Sequence, residues 1–584
     1  MYINCELMND QVHVWERGPE GRAVRVFPCP WNCYVEDPNG KYTTLFGQRA
    51  SFFEFDTRFE LVAATKAAQS KGRRVFEGDI PPDLKILSTH YPYSEDSIPK
   101  LHVTYLDIEV DYKTASYERD HIVLIRKKGS TKENEVTVGQ LRDAPDRSSF
   151  EVFDERSNTW GPADHSDYLY CGEIGFASAE RPYAPINAIA FLNEWNNDEY
   201  VIAVPPITWG TDPDVWYDML DPEFREMKNL YLVQSERELL ALFLDLIKDS
   251  DMLVGWNSEF FDFPYILRRV EIVFGKRGLR KLSFDGAPLP KMKQVEVMGK
   301  INYTCTYGGR ILGDYMQLFK KFEMGARPSY KLEAITEEIM PELKKLDYDG
   351  TLEQLYKNDF NHFLRYNRRD TECLSGFESR KGYVGVANLL YHMSTARYRD
   401  VAGTLRTADM AIVNFCHDNL QVIVPNAPEV EGGDDEEEDK AQGAYVLEPK
   451  MGMHDWIGSI DINSLYPSAI RSVNISPEML MGQFVEAVVA FERIKDRSDA
   501  MLTLIVERTG DSMTKSAREW REWLIAHNYA ISGYGTVFDQ SRGQGVIPSI
   551  LTEWFAKRKH YQRLKGQASD NLDKLIDEQK EKAA

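Results

Sequence analysis

The sequence predicts a multidomain α/β protein. Three observations lead there: its length, an ordinary globular composition, and strand and helix patterns that alternate from about residue 101 to about 380. A chain of 584 residues is too long for one core, and at about 150 residues per domain it suggests about four. Hydrophobic residues at 43% and charged residues at 28% are ordinary for a globular protein. No run of about 18 apolar residues occurs, so no membrane span is expected. The start, Met1-Tyr2-Ile3-Asn4-Cys5, lacks a charged segment followed by an apolar one, so no secretory leader is expected. Seven cysteines are too few for a disulfide framework, and the close pair Cys29 and Cys33 lacks the second pair or histidines of a zinc site. Reduced thiols are the default. The net charge of −22 argues against nonspecific coating of nucleic acid and leaves room for a local basic groove.

Residues 1–100 read as short strands and turns. Asn39-Gly40 predicts a hairpin between Tyr34–Glu36 and Lys41–Thr43. A strand follows over Val103–Val110. Ser235–Ile247 reads as a helix, with Ser235 and Glu238 in capping-box spacing. Met252–Trp256 reads as a short buried strand and Asp262–Val273 as the next helix, Pro264 being tolerated in a first turn. Pro425–Gln442 holds Gly432-Gly433 and six consecutive acids, Asp434–Asp439. Like charges repel, so a solvated loop at a domain junction is expected. Trp456–Ile462 reads as a strand ending near Asp461. Ser549 to about Lys580 reads as a long charged helix. No internal repeat is visible.

The acids carry the chemistry. Strand side chains alternate, so Asp107 and Glu109 share one face while Leu106, Ile108 and Val110 take the other. Two acids side by side repel unless a cation lies between them, and hard oxygen ligands suit Mg²⁺ or Mn²⁺. Alone, such a triplet is more often a solvated strand edge. In Gly255-Trp256-Asn257-Ser258-Glu259-Phe260-Phe261-Asp262 an acid follows a strand and begins a helix, where it equally reads as a helix cap. In Tyr366-Asn367-Arg368-Arg369-Asp370 a helix would put Tyr366 and Asp370 on one face.

Together these segments resemble the DEDDy 3′–5′ exonucleases and the proofreading domain of family-B DNA polymerases, in the same order. The family motifs are D-I-E, N-x-x-x-F-D and Y-x-x-x-D. Here they stand as Asp107-Ile108-Glu109, Asn257 with Phe261-Asp262, and Tyr366 with Asp370. Leu312-Gly313-Asp314-Tyr315, Lys320-Lys321-Phe322, and Lys345 with Tyr348-Asp349-Gly350 resemble the replicative polymerases of T-even-like bacteriophages. The resemblance implies a ribonuclease-H-like domain hydrolysing phosphodiesters with two Mg²⁺ (or Mn²⁺) ions. Asp107, Glu109, Asp262 and Asp370 would hold the ions, Asp107 bridging them, and Tyr366 would orient the attacking water. Asn257 and Phe261 would contact substrate. Lys345 falls where the family meets a phosphate, and a solvated loop lysine reads the same way. Residues 267–300 carry nine basic side chains against three acidic ones, enough to track phosphates. The family carries a hairpin there.

Asp461-Ile462-Asn463-Ser464-Leu465-Tyr466-Pro467-Ser468-Ala469-Ile470 resembles the polymerase palm motif D-x-x-S-L-Y-P-S-I-I, and Asn474-Ile475-Ser476-Pro477-Glu478 extends the likeness. By it Asp461 would bind catalytic metal, while Leu465 and Tyr466 would line the nucleotide sugar. Gly545-Val546-Ile547-Pro548 opens what resembles the fingers helix. Arg558 falls at the triphosphate-binding arginine, and Gln562 stands where the family has a second lysine. Six basic residues face one acid between 541 and 565.

The motifs K-x-x-x-N-S-x-Y-G and D-T-D-S do not occur. The expected organisation is an N-terminal domain at 1–100, completed by about 383–430. The exonuclease follows at 101–382, a partial palm at 431–544, and an incomplete first fingers helix at 545–584. Two explanations stay open: one subunit of a split polymerase, or an incomplete reading frame. A non-catalytic DNA- or RNA-binding module is the alternative from another class. The resemblance implies primer-template and single-stranded DNA as partners, and dNTP once the site is completed. It also implies a second chain with the rest of the palm and the thumb, a sliding clamp and RNA. No membrane partner is expected, and the expected place of action is the cytoplasm of an infected bacterium.

Overall fold

The computed structural model describes residues 2–94, 98–110, 122–154, 159–165, 177–297, 299–343, 346, 348, 350–426, 447–462 and 464–583. Lys345 and the acidic run 434–439 lie outside them. The chain divides into two compact units, residues 1–29 with 81–407, and 30–80 with 408–584. This division is coarser than the four segments expected from the sequence. Among the described residues no helix is long and apolar enough to cross a membrane, and Cys5, Cys29, Cys305 and Cys416 are free thiols.

The first unit is built on a six-stranded mixed sheet, ordered Leu230–Leu232, Asp198–Ala203, Ile186–Asn193, Val103–Val110, Met252–Gly255, Ile311–Asp314. Val103–Val110 runs antiparallel to Ile186–Asn193 and parallel to Met252–Gly255. Its alternation sorts the two faces. Leu106 and Ile108 join Leu240, Phe243, Phe263 and Ile266 in one core, under the helices Glu236–Leu246 and Asp262–Leu279. Asp107 and Glu109 point the other way. Across from them stand Ala190 and Ala188, both fully buried. These small side chains belong to a second core with Phe360, Phe363 and Leu364 of the helix Phe360–Lys381. The result is a helix–sheet–helix sandwich with acids on one inner face.

Local chemistry sets the helix starts. Ser235 Oγ accepts from the Glu238 N–H at 3.4 Å, and the Glu238 carboxylate accepts from Gln234 N–H at 2.9 Å. The predicted reciprocal box is therefore displaced by one residue. The Asp262 helix continues past Val273 to Leu279 through a break at Gly275, whose φ of 68° suits only glycine without cost. Asp251 is fully buried and accepts from Arg17, Arg22 and the His102 amide. It ties the N-terminal strands Gln11–Gly18 and Gly21–Pro28 to the sheet. Removing one partner from such a buried charge cluster typically costs about 3–5 kcal/mol.

In the second unit the expected Asn39-Gly40 hairpin does not form. Trp31–Glu36 and Tyr42–Thr43 both pair with Arg49–Phe55 instead. The turn is Asp37-Pro38-Asn39-Gly40: the Gly40 N–H donates to Asp37 O at 2.8 Å, and Asp37 Oδ1 accepts from the Asn39 N–H at 3.0 Å. Neither Asn39 nor Gly40 has a positive φ, as a tight primed hairpin turn requires. Pro38 instead sets the geometry of an ordinary turn one residue earlier.

A five-stranded sheet, ordered Ser512–Ser516, Met501–Val506, Leu480–Phe484, Thr536–Asp539, Tyr529–Ile531, packs on the helix Ala517–Ala526 through Trp520. The expected strand Trp456–Ile462 is absent: these residues have no regular structure, and Trp456, Ile457 and Ile460 are exposed. Apolar content alone cannot make a strand, whose backbone needs a neighbour to pair with, and no described strand pairs with this one.

The final helix, Val546–Ala583, shows why Asn474-Ile475-Ser476-Pro477-Glu478 stands where it does. Glu478 Oε1 accepts from the Val546 N–H at 2.6 Å, Ser476 Oγ from the Ile547 N–H at 3.3 Å, and Asn474 Oδ1 from the Gly545 N–H at 2.8 Å. The motif supplies acceptors for N–H groups that a helix start leaves without partners.

Candidate active site

The sheet and the helix Phe360–Lys381 bring three of the predicted acids together. Asp107, Glu109 and Asp370 each offer a carboxylate oxygen, and these oxygens all lie within 4.8 Å of one another. Glu109 and Asp370 are buried and Asp107 is half-buried. A compact, partly dehydrated set of hard oxygens fits a divalent cation.

Asp262 is not one of that trio, yet it is their neighbour. It begins its helix, where the residue before it, Phe261, holds the cap position without a side-chain bond. The reading of Asp262 as a mere cap is thereby set aside. Its carboxylate is served by its own N–H and by that of Ile108, on the strand between Asp107 and Glu109. Burial, with the charges of Asp314 and Asp370, pushes the carboxyl up to about 7. In the unfolded chain it would titrate near about 3.9. The cation-free folded protein therefore holds a proton that the unfolded chain releases. The stability this contributes is complete below about pH 4 and is lost as pH rises through about 7. The thermal midpoint of cation-free protein is expected to fall between about pH 5 and 8, and saturating Mg²⁺ to remove the fall at the upper end. Calorimetry across that range tests this; a midpoint indifferent to both pH and Mg²⁺ contradicts it.

The other predicted residues are placed as follows. Tyr366 is half-buried one helical turn before Asp370, edge to face with Tyr348 at 5.2 Å between ring centres. Phe261 stacks on Tyr265 at 5.3 Å. Asn257 is exposed, with φ of 58°, a conformation Asn tolerates better than most residues. Lys345 lies outside the described residues. The basic stretch 267–300 is only partly available to phosphate. Arg269 is buried and paired with both Glu236 oxygens, and Arg268 pairs with Glu271. Lys291, Lys293 and Lys300 are exposed on a hairpin, Lys291–Val297 with Lys300–Thr306.

Two contributors lie in motifs that gave them no role. Asp314 ends the strand beside Gly255 and accepts backbone N–H groups from Asn257 at 3.0 Å, Glu259 at 3.3 Å and Met316 at 2.9 Å. It clamps the loop that delivers Asp262, and burial pushes its carboxyl up to about 6. Its signal was present: an acid closing a short apolar strand and opening a helix, as at Asp262. Asn367 donates to Asp107 Oδ2 at 2.8 Å. It precedes Asp370 by one helical turn, so both face the strand.

In the second unit Leu465 and Tyr466 start the helix Leu465–Val473 and are exposed, as is Asp461. Arg558 is exposed on the long helix and donates to Ser464 Oγ at 3.1 Å. The structure thus brings Arg558 to the motif that holds Leu465 and Tyr466.

Two family patterns match the chain. The pattern of the DNA polymerase family B exonuclease domain matches residues 170–335, and that of DNA polymerase family B matches 409–583. The chain carries exonuclease and polymerase domains of DNA polymerase family B. Its exonuclease domain accordingly belongs to the ribonuclease-H-like superfamily, whose family-B members use divalent metals. Asn257, Phe261 and Asp262 fall inside the exonuclease match, and Asp461, Leu465, Tyr466 and Arg558 inside the polymerase match. Asp107, Glu109, Tyr366 and Asp370 lie outside both. The chain is 29% identical over 331 residues to the DNA-directed DNA polymerase of Enterobacteria phage T4, covering 56% of this chain and 33% of that one. It is 26% identical over 401 residues to the DNA-directed DNA polymerase of Escherichia phage RB69, covering 66% and 40%. With DNA polymerase 1 of Pyrococcus abyssi it shares 27% over 263 residues, covering 43% and 31%. The matched region thus spans between a third and two fifths of the phage relatives' length.

Proposed function

We propose that this family-B chain is a 3′–5′ proofreading exonuclease of DEDDy type, using Mg²⁺ (or Mn²⁺), and contributes part of a nucleotide-incorporating site. The observation that carries the first half is the convergence of Asp107, Glu109 and Asp370 within 4.8 Å, with Asp262 alongside. Bound cations would supply Lewis-acid stabilisation of the attacking and leaving oxygens. The four carboxylates hold that charge. Tyr366 orients the attacking water, Asn257 and Phe261 position the terminal nucleotide, and Lys345 neutralises a phosphate. The exposed hairpin lysines meet the strand backbone.

For incorporation, Asp461 binds metal, Leu465 and Tyr466 face the sugar, and Arg558 meets the triphosphate as a planar guanidinium suits. That chemistry needs a second acidic motif that these 584 residues do not contain. Its supply by further polypeptide, a second chain in the split reading, belongs to the proposal. So do primer-template, dNTP, clamp and RNA as partners, and action inside an infected bacterium.

The experiment is direct. Purified chain with a 5′-labelled single-stranded oligonucleotide is expected to give a ladder shortening from the 3′ end in Mg²⁺ and none in EDTA. DNA binding without shortening in either condition favours a non-catalytic binding module and removes the exonuclease reading.

A further inference from the structure

We propose that Asn367 is a positioning residue that sets the Asp107 carboxylate for cation binding, an inference resting on the exonuclease reading above. Asn is a weak helix former, and a buried amide needs partners. Asn367 nevertheless lies inside the helix Phe360–Lys381 with no exposed surface. What it touches accounts for its place. Its Nδ2 donates to Asp107 Oδ2 at 2.8 Å and to the Asp107 main-chain oxygen at 3.3 Å. The amide can point only this way, because the reverse would set its oxygen against a carboxylate oxygen.

The contact fixes one carboxylate oxygen through one N–H and leaves the carboxylate further acceptor capacity. Asn367 Oδ1 is buried with no hydrogen-bond partner, an acceptor available to a hydrated cation beside the acids. Asn367 and Asp370 share a helix face. The helix therefore delivers one carboxylate of the trio and orients another, which stands on the strand. Leucine could fill the same volume, but it would not hold Asp107.

Partners of this kind are worth about tenfold to a hundredfold in metal affinity. Calorimetric titration of the whole chain with Mn²⁺, without DNA, tests the role in Asn367→Ala and Asn367→Leu, with Asp107→Ala as control. Both Asn367 variants are expected to bind Mn²⁺ about ten- to hundredfold more weakly. They should need proportionately more Mn²⁺ for half-maximal degradation and regain most of the rate at saturation. Unchanged Mn²⁺ affinity in a folded variant overturns the proposal, since a packing role alters thermal stability alone. Failure of both variants to fold also overturns it, by assigning the residue to packing. If Asp107→Ala binds Mn²⁺ and degrades DNA normally, the exonuclease reading itself has failed, and this proposal falls with it.

Discussion

Asp107→Ala is expected to reduce 3′-end degradation of single-stranded DNA at least about 10²–10³-fold, the scale of losing one preorganised electrostatic contact at a reacting centre. Asp107 stands between two elements: its strand carries Glu109, and the facing helix carries Asp370 and Asn367. The flanking Leu106 and Ile108 face the opposite core and offer no oxygen here, and Glu109 already belongs to the acid trio. Asp262→Ala is expected to match it, by removing the acid nearest the Ile108 amide. The measurement is single-turnover degradation at saturating Mg²⁺, with thermal midpoints showing that the variants fold. The sheet core on that face is apolar and untouched by either change, so folding is expected to persist. Wild-type degradation by either variant would dismantle the assignment.

Asp314→Ala is expected to cost about 10²-fold in the same assay without touching a metal ligand. Its carboxylate receives the N–H groups of Asn257 and Glu259 and caps the helix Tyr315–Phe322 through Met316 and Gln317. Alanine leaves those amides without this acceptor, at a cost of about 1–3 kcal/mol for a buried one such as that of Met316. The loop then shifts, and with it Asp262. A displacement of about 1 Å at a catalytic group is enough for a hundredfold loss. Mn²⁺ titration separates the two cases. On the proposed reading Asp107→Ala removes an ion-binding oxygen outright, whereas Asp314→Ala leaves the Asp107, Glu109 and Asp370 set intact. Equal loss of Mn²⁺ affinity in both variants would place Asp314 among the ligands instead.

What the sequence disclosed follows the range over which each feature acts. Val103–Val110 was legible to its end residues because alternation of acids and apolar residues has a period of two, and the core imposes it. Tyr366 and Asp370 were legible as a pair because helical spacing places them on one face. Asn39-Gly40 misled because its turn is set by Asp37-Pro38 before it. Trp456–Ile462 misled because an apolar run says nothing about whether a neighbour exists to pair with it. What Asp314 and Asn367 bond to was not legible, for a further reason. Their partners lie 57 and 260 residues away in the chain, and no local pattern carries a hydrogen bond across that distance.

The bare stretch from Trp456 to Tyr466 bears on how these molecules treat one another. Trp456, Ile457, Ile460, Ile462, Leu465 and Tyr466 are all more than half exposed, on a backbone between 456 and 462 that belongs to no sheet. Unpaired backbone flanked by large apolar groups is the material from which chains build intermolecular β-structure. The net charge of −22 opposes such contacts by a long-range repulsion that salt weakens. Near 0.15 M salt the screening length shrinks to about 8 Å, and the contact attraction is left unopposed. Self-association of the chain is therefore expected to rise with salt, which light scattering of the protein without DNA checks.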